Sequence, residues 1–209
     1  MAVARFFTIL FVCASVRLGA EPMRDVIADY LPPHEAIKFY ELARLQTEEL
    51  LESWRGTMEI AGKSVFVETR DGNLWATVDG SEVAAEKTCD DFVQICKQFP
   101  ICRFDILFPF LSWDNFAYDG PANMMGRRAQ RYVASPPENY GHSVAAVKIW
   151  IDDTYGYPLS WEVVDEKGHT LRRFRVRSLK KDSSGEWTVS TVEFSMPRDR
   201  KQLHVKFVD

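Results

Sequence analysis

The fold of this sequence is decided by its C-terminal half, where SVAAVKIWID (143–152) and HTLRRFRVRSL (169–179) alternate apolar and polar residues. Alternation with period two is typical of strands that bury one face. Four further segments of this kind lie at 131–134, 159–165, 186–195 and 202–208. The turn-rich connections between them are short, which predicts antiparallel pairing because a parallel pair needs a long crossover. We therefore predict a meander that curls into a barrel or half-barrel.

A long helix and three shorter strands are predicted upstream of this meander. Pro32 and Pro33 favour a helix start, and the helix extends to about Trp54. Apolar residues recur along it at spacings of three and four, namely Ala36, Phe39, Tyr40, Ala43, Leu50, Leu51 and Trp54. Strands joined by hairpin-like turns are predicted at 56–61, 64–69 and 74–78. The apolar stripe of the helix needs an apolar surface, and the concave face of the sheet would supply one.

The first 20 residues predict a secretory signal peptide. Arg5 precedes an apolar run at 6–16, and small residues before Glu21 offer a cleavage point. The apolar run is too short to span a bilayer as a helix, although an N-terminal anchor or a buried strand is the alternative. We expect residues 21–209 to form one soluble, exported domain.

Composition and motifs disfavour several classes of function. The net charge of −4 and the lack of a basic patch with interleaved aromatics argue against nucleic-acid binding. Catalytic and nucleotide-binding motifs such as G-x-S-x-G, H-E-x-x-H and a phosphate loop do not occur. The histidines stand isolated in the sequence, at His34, His142, His169 and His204. We therefore predict a protein that is not an enzyme and needs no metal or cofactor.

Three cysteines follow the signal peptide, at Cys89, Cys96 and Cys102. In an exported protein one disulfide among them, with one thiol left over, is the expected arrangement, and free thiols are the alternative. A zinc site is disfavoured because the sequence has no C-x-x-C pair and no histidine nearby. The spacing alone does not select a disulfide pair.

An unusually apolar segment, FDILFPFLSW (104–113), lies in the connection at 89–125, which we predict to be otherwise irregular. Pro109 predicts a short helical turn that ends or kinks there. The segment is either a permanent plug of the curled sheet or a lid that closes a ligand cavity; aromatic runs usually belong to a core. As a lid, it would contact a ligand together with the adaptable methionines that follow it. The predicted ligand-binding residues are Leu107, Phe108, Phe110, Leu111, Trp113, Met124 and Met125.

Several passages resemble the outer-membrane lipoprotein-sorting protein family of the LolA-like superfamily of periplasmic lipid carriers. They are DILFPFLSW (105–113), VKIWID (147–152), YGYP (155–158), GHTLRRF (168–174), GEW (185–187) and VEF (192–194). The resemblance implies an α+β, mainly β fold: an unclosed antiparallel β-barrel of about eleven strands, with helices across its apolar concave face. In the best-known carriers an arginine on an early strand controls lid closure. Arg55 and Arg70 lie in that neighbourhood but do not match the motif, so the role is not transferred.

The resemblance also implies a function. A carrier of this kind holds lipoprotein acyl chains or lipid in its barrel, because burial of each methylene is worth about 0.8 kcal/mol and exposed chains do not cross water unaided. An envelope membrane protein would be a further partner. The alternative is an envelope sensor or scaffold module of the same fold, which binds a protein without carrying lipid.

Three arginines alternate along one predicted strand, at Arg173, Arg175 and Arg177, and so share its outward face. They either form a solvated face paired with acids such as Glu162 and Glu193, or provide a docking stripe for anionic head groups or an acidic partner.

The signal peptide leads to the first testable prediction. We expect export with cleavage near Ala20–Glu21, because the apolar run and the small residues before Glu21 match what a signal peptidase requires. N-terminal sequencing of the protein from the envelope fraction checks this. A mature chain that still starts at Met1 would contradict the prediction.

Overall fold

A computed structural model describes residues 29–52, 55–70, 73–85, 94–96, 99–138, 140, 143–181, 185 and 187–208. It contains two α-helices, α1 (Pro33–Glu52) and α2 (Arg103–Leu107), and two short 3-10 helices, Pro109–Ser112 and Pro197–Asp199. Among the described residues, no helix has both the length and the apolar character that a membrane span requires.

Thirteen strands make up most of the described chain. They are β1 (Arg55–Ile60), β2 (Lys63–Arg70), β3 (Asn73–Val78), β4 (Ser81–Ala85), β5 (Gln94–Cys96), β6 (Phe99–Cys102), β7 (Asn115–Met124), β8 (Arg127–Ser135), β9 (Ala146–Asp152), β10 (Pro158–Val164), β11 (Thr170–Lys181), β12 (Trp187–Met196) and β13 (Lys201–Val208).

Eleven of these strands form one antiparallel sheet in the order β4-β3-β2-β1-β13-β12-β11-β10-β9-β8-β7. The sheet is an unclosed barrel, with β4 and β7 as its edges. Only the pairing of β1 with β13 joins strands that are distant in sequence, and its register sets Ile60 opposite Val205. The remaining two strands, β5 and β6, pair separately as a small hairpin.

The sheet buries one face, here called the inner face, and α1 lies across it. Along β9, Val147, Ile149 and Ile151 are buried while Lys148 between them is exposed, as period-two alternation requires. From α1, Ala36, Tyr40 and Ala43 enter the same core, so the predicted stripe of the helix faces the sheet. The side chains of Leu50, Leu51 and Trp54, also assigned to that stripe, lie outside the described residues.

The predicted strands are largely confirmed. All six segments of the C-terminal meander and the three upstream strands are found, with ends that shift by at most four residues. The first hairpin turn is built by Ala61 and Gly62, which both have left-handed backbone angles (φ 50° and 77°). The turn predicted at 71–73 lies mostly outside the described residues.

The prediction of an irregular connection at 89–125 is wrong in one respect. The ten-residue strand β7 lies within it, and β5 and β6 form the small hairpin there; β4 just upstream was also missed. The sequence does not predict β7 because it contains Gly120 and Pro121, and both residue types usually interrupt strands. They are tolerated because β7 is an edge strand, with a bulge between Tyr118 and Gly120.

Docking of α1 on the sheet depends on one buried hydroxyl group. The Tyr132 hydroxyl donates a hydrogen bond to the Ala36 carbonyl at 2.9 Å. We predict that Tyr132→Phe lowers the free energy of unfolding by about 0.5–1.5 kcal/mol, the usual net worth of such a bond. Urea denaturation measures this, with Tyr30→Phe as the control, because the Tyr30 side chain is exposed. Equal effects of the two substitutions would contradict this role of the Tyr132 hydroxyl.

Candidate functional site

The apolar segment that includes α2 and the following 3-10 helix covers the inner face next to α1. We call residues 103–113 the lid segment. Its two helical turns meet at Phe108, whose backbone is left-handed (φ 47°, ψ 50°). This conformation is strained for a bulky residue and costs on the order of 1–3 kcal/mol. The predicted helical turn and its interruption next to Pro109 are thereby confirmed, and the interruption falls on the strained residue Phe108.

Aromatic rings hold the lid segment against the sheet. The sheet contributes Trp161 and Phe174, which stack with their centroids 5.4 Å apart. Phe104 and Phe110 of the lid segment contact the Trp161 ring at 5.6 Å and 5.7 Å. Phe108 contacts Phe174 at 6.0 Å. Each of these edge-to-face or stacked pairs adds about 0.5–1.5 kcal/mol to the burial of its rings.

The lid segment is also connected to α1. The Tyr40 hydroxyl donates a hydrogen bond to the Phe110 carbonyl at 3.2 Å, and the Ser112 hydroxyl donates to Glu48 at 3.1 Å. Tyr40 stacks on Phe116 at the start of β7, with their centroids 4.0 Å apart. The helix and the lid segment therefore form one continuous cover over the inner face.

A buried ion pair fixes the N-terminal end of the lid segment. The Asp105 side chain is almost completely buried, and the Arg172 guanidinium of β11 binds both of its oxygens, with Nε 3.2 Å from Oδ1 and Nη2 close to Oδ2. Asp105 Oδ2 also accepts hydrogen bonds from the backbone N–H of Cys102 at 2.9 Å and from its thiol at 3.1 Å. These contacts satisfy a carboxylate that would otherwise be very costly to bury.

The electrostatics of this anchor keep its groups in defined protonation states. Burial raises the pKa of the Cys102 thiol, and the Asp105 charge raises it further, so the thiol stays protonated. Burial alone would lower the pKa of Arg172, but attraction to Asp105 outweighs it and the net shift is upward. The guanidinium therefore remains a cation beneath the lid segment.

Sequence reasoning missed this anchor. In the sequence, Asp105 lies within an otherwise apolar passage, and Arg172 directly precedes the three alternating arginines of the same strand. The sequence nevertheless offers a signal for this ion pair. Asp105 is the one acid in residues 104–113, seven of which are large and apolar, and a carboxylate buried among them requires a cation. Which arginine supplies that cation depends on how β11 lies relative to α2.

The seven predicted ligand-binding residues separate into two groups. Phe110, Leu111 and Trp113 are buried in the lid segment, and Leu107 and Phe108 are half-buried beside them. Met124 and Met125 lie at the far end of β7, about 30 Å along the strand at roughly 3.3 Å per residue. Met125 occupies the turn there and is 43% exposed. The structure thus brings five of the residues together and sets the two methionines apart.

Little space is left beside the ion pair among the described residues. A cleft beside the Asp105–Arg172 pair, lined also by Phe194, Met196 and Lys201, has a volume of only about 10 Å³. Pockets that enclose organic ligands typically measure about 300–1,000 Å³. Because Phe104 and Phe110 lie against the Trp161 ring, an acyl chain could take their place at that ring only if the lid segment moved.

The cysteine and arginine predictions have different outcomes. Cys102 is a free, buried thiol, which agrees with one thiol being left over; Cys89 and the side chain of Cys96, which a disulfide would then join, lie outside the described residues. The described part of the chain contains no cluster of potential metal ligands. On the outer face, Glu162 pairs with Arg173 at 2.6 Å and with Arg175 at 3.7 Å. Arg177 pairs with Glu193, as the solvated-face interpretation predicts.

An unclosed antiparallel barrel whose inner face is covered by one long helix and a short helical segment is the LolA-like fold. No family model matches the sequence, and no curated protein matches it at a significant level. Solved structures do match. A protein domain from Vibrio parahaemolyticus, described as outer membrane lipoprotein-sorting, has a TM-score of 0.56 and 14% identity, covering 83% of this chain and 92% of that one.

Two further structures have the same architecture. A DUF1329 family protein from Desulfovibrio piger matches with a TM-score of 0.55 and 12% identity over 86% of this chain and 92% of that one. A LolA superfamily protein from Nitrosomonas europaea matches with a TM-score of 0.51 and 10% identity over 83% and 91%. At such low identities the likeness establishes the fold. The fold class expected from the sequence is thus confirmed.

The buried ion pair leads to a prediction about stability. Asp105→Leu removes the buried carboxylate that binds the Arg172 guanidinium and should lower the free energy of unfolding by about 3–5 kcal/mol, the usual cost of removing one member of a buried ion pair. The double variant Asp105→Leu/Arg172→Met removes both charges and should recover most of that loss. Denaturant titration of the single and double variants measures both effects. Glu41→Gln is the control, because its exposed pair with Arg44 is worth less than about 1 kcal/mol. A double variant no more stable than the single one would refute this pairing.

Proposed function

We propose that this protein is a carrier that binds acyl chains of lipoproteins or lipids between the lid segment and the inner face of the sheet. One observation supports this most directly. Five apolar side chains of the lid segment cover a sheet face that is itself lined by rings, and the segment contains a strained joint at Phe108. Strained backbone of this kind often accompanies parts of a fold that move.

Binding would exchange one apolar contact for another. When the part of the lid segment beyond Phe108 opens, Phe110 leaves the Trp161 ring, and an acyl chain occupies the vacated surface. Because each methylene contributes about 0.8 kcal/mol on burial, a chain of a dozen carbons offsets the loss of several aromatic contacts. The Asp105–Arg172 pair keeps one end of the segment attached while the part beyond Phe108 swings away.

The proposed setting is the periplasm. The predicted signal peptide at 1–20 would direct export, and residues 21–209 would act as a single lipid-binding domain. The LolA-like fold supports this setting, because one of its matched structures is described as outer membrane lipoprotein-sorting. Binding, without catalysis or a cofactor, is the proposed activity. An envelope membrane protein is the further partner that lipid exchange would require.

A scaffold module that binds a protein partner without carrying lipid is the second candidate. It is favoured by the tight contact of the lid segment with the sheet, where Phe104, Phe110 and Trp161 are each fully buried. In that case the lid segment is a permanent plug and the exposed surface of the cover, on α1, becomes the binding surface. Among the described side chains of that helix, Ile37, Leu42 and Leu45 are large, apolar and exposed.

Uptake of a fluorescent acyl probe tests the carrier. Phe110→Asp should abolish uptake because it places a charge where the acyl chain would lie. Leu107→Gln is a milder variant at a half-buried position and should weaken uptake while leaving the fold intact. The matched control is Ile37→Asp, the same apolar-to-acid change on the exposed side of α1, which should bind the probe like the wild type.

Circular dichroism accompanies each uptake measurement. Loss of uptake with an unchanged strand signal supports the carrier. If Leu107→Gln folds normally and binds the probe like the wild type, the lid segment is not the binding site.

Hydrogen exchange separates the carrier from the scaffold. A displaceable lid belongs to the least stable part of a fold, so amides at 104–113 should exchange readily in the empty protein and become protected by phospholipid. Slow exchange there, unchanged by lipid, would support the scaffold module instead.

A further inference from the structure

Trp161 has a buried polar group without a partner. The residue lies on β10 at the centre of the inner face, and its side chain is 0% exposed. Its indole N–H has no hydrogen-bond acceptor among the described residues. Buried tryptophan N–H groups usually have such an acceptor, and an unpaired one is costly. A donor left unpaired at the centre of a proposed ligand site is a candidate for ligand recognition.

The surroundings of Trp161 explain why the donor is unpaired. Phe104, Phe108 and Phe110 of the lid segment contact its ring with centroids at 5.6, 6.5 and 5.7 Å. Phe174 stacks on it from the neighbouring strand. These side chains contain no nitrogen or oxygen and provide at most a weak N–H···π contact. The closed lid segment therefore holds the indole in an environment without strong acceptors.

Trp161 also lies at a boundary between polar and apolar surroundings. Its strand pairs with β11, where Trp161 is opposite Phe174 and Val163 is opposite Arg172. The Asp105–Arg172 pair is thus one inward-facing position further along β10, about 7 Å away at roughly 3.3 Å per residue. Phe194, which lines the cleft beside that ion pair, contacts Phe174 at 5.3 Å. The unpaired indole N–H therefore lies on the apolar side of a charged anchor.

We infer that the Trp161 indole N–H donates a hydrogen bond to the ester or amide carbonyl at the head of a bound acyl chain. This rests on the proposed carrier function and specifies its ligand. A hydrocarbon offers no acceptor, and a charged phosphate would be too costly to desolvate among these rings. A carbonyl is a neutral acceptor that lies in an acylated molecule where the polar head meets the chain. That order matches the order of charged anchor, indole and apolar interior at the site.

The consequence is selectivity for acylated ligands over plain hydrocarbon chains. The net contribution of one hydrogen bond corresponds to an affinity about three- to tenfold higher for the ligand that forms it. Wild-type protein should therefore bind a pyrene-labelled fatty acyl methyl ester about three- to tenfold more tightly than a pyrene-labelled alkane of equal length.

Trp161→Phe tests the assignment, because it removes the donor and retains an aromatic ring. The variant should lose the preference for the ester, so that ester and alkane bind with similar affinity. Trp150→Phe makes the same change on the outer face of β9, away from the lid segment, and should keep the wild-type preference.

Nuclear magnetic resonance provides a readout that does not depend on affinity. With 15N-labelled tryptophan, the indole signal that disappears in Trp161→Phe belongs to Trp161, among the six tryptophans of the chain. In wild-type protein the ester should move this signal downfield, as expected for a new hydrogen bond, and the alkane should not. Equal displacement by both probes would mean that only lid movement is sensed, and would overturn the assignment.

Different results would contradict the carrier function and the role of the Trp161 indole. If neither probe binds the wild type, the carrier function is wrong and this inference falls with it. If both probes bind and the ester preference is absent, or survives in Trp161→Phe, only the role of the indole is overturned.

Discussion

The structure depends on the need to cover one apolar face of an open sheet. A closed barrel would hide this face by itself, but here the edges β4 and β7 do not meet, so other elements must cover the inner face. The helix α1 covers part of it, and the lid segment covers the part in front of Trp161. Much of the apolar burial that stabilises the domain therefore lies at the contact between the sheet and these covering elements.

The cover is attached by directional contacts as well as by apolar ones. The Asp105–Arg172 pair fixes one end of the lid segment, and the Tyr40 and Ser112 hydrogen bonds attach its other end to α1. Ion pairs buried in this way add little net stability compared with apolar contacts, but they define geometry strongly. A cover fixed at defined points and strained at Phe108 is suited to opening in one way. The arginine that binds Asp105 comes from β11, a late strand.

The polar groups at the inner face divide the site into zones. At one end a cation and a carboxylate are paired, next to them an indole N–H is unpaired, and beyond it the surroundings are aromatic and aliphatic. On the outer face, Arg173, Arg175 and Arg177 pair with Glu162 and Glu193. On the covered side, the fully buried indole N–H of Trp161 is left without an acceptor.

The sequence by itself determined the strands of the meander, the position of α1 and the break near Pro109, because these follow from local periodicity and from proline geometry. It also singled out the five clustered residues of the lid segment. Only the tertiary structure decided that β7 is an edge strand, that Met124 and Met125 lie apart, and that Arg172 reaches Asp105 across 67 positions of sequence. Such contacts depend on strand register and on how the sheet curls, and local patterns do not encode the distance between residues far apart in the chain.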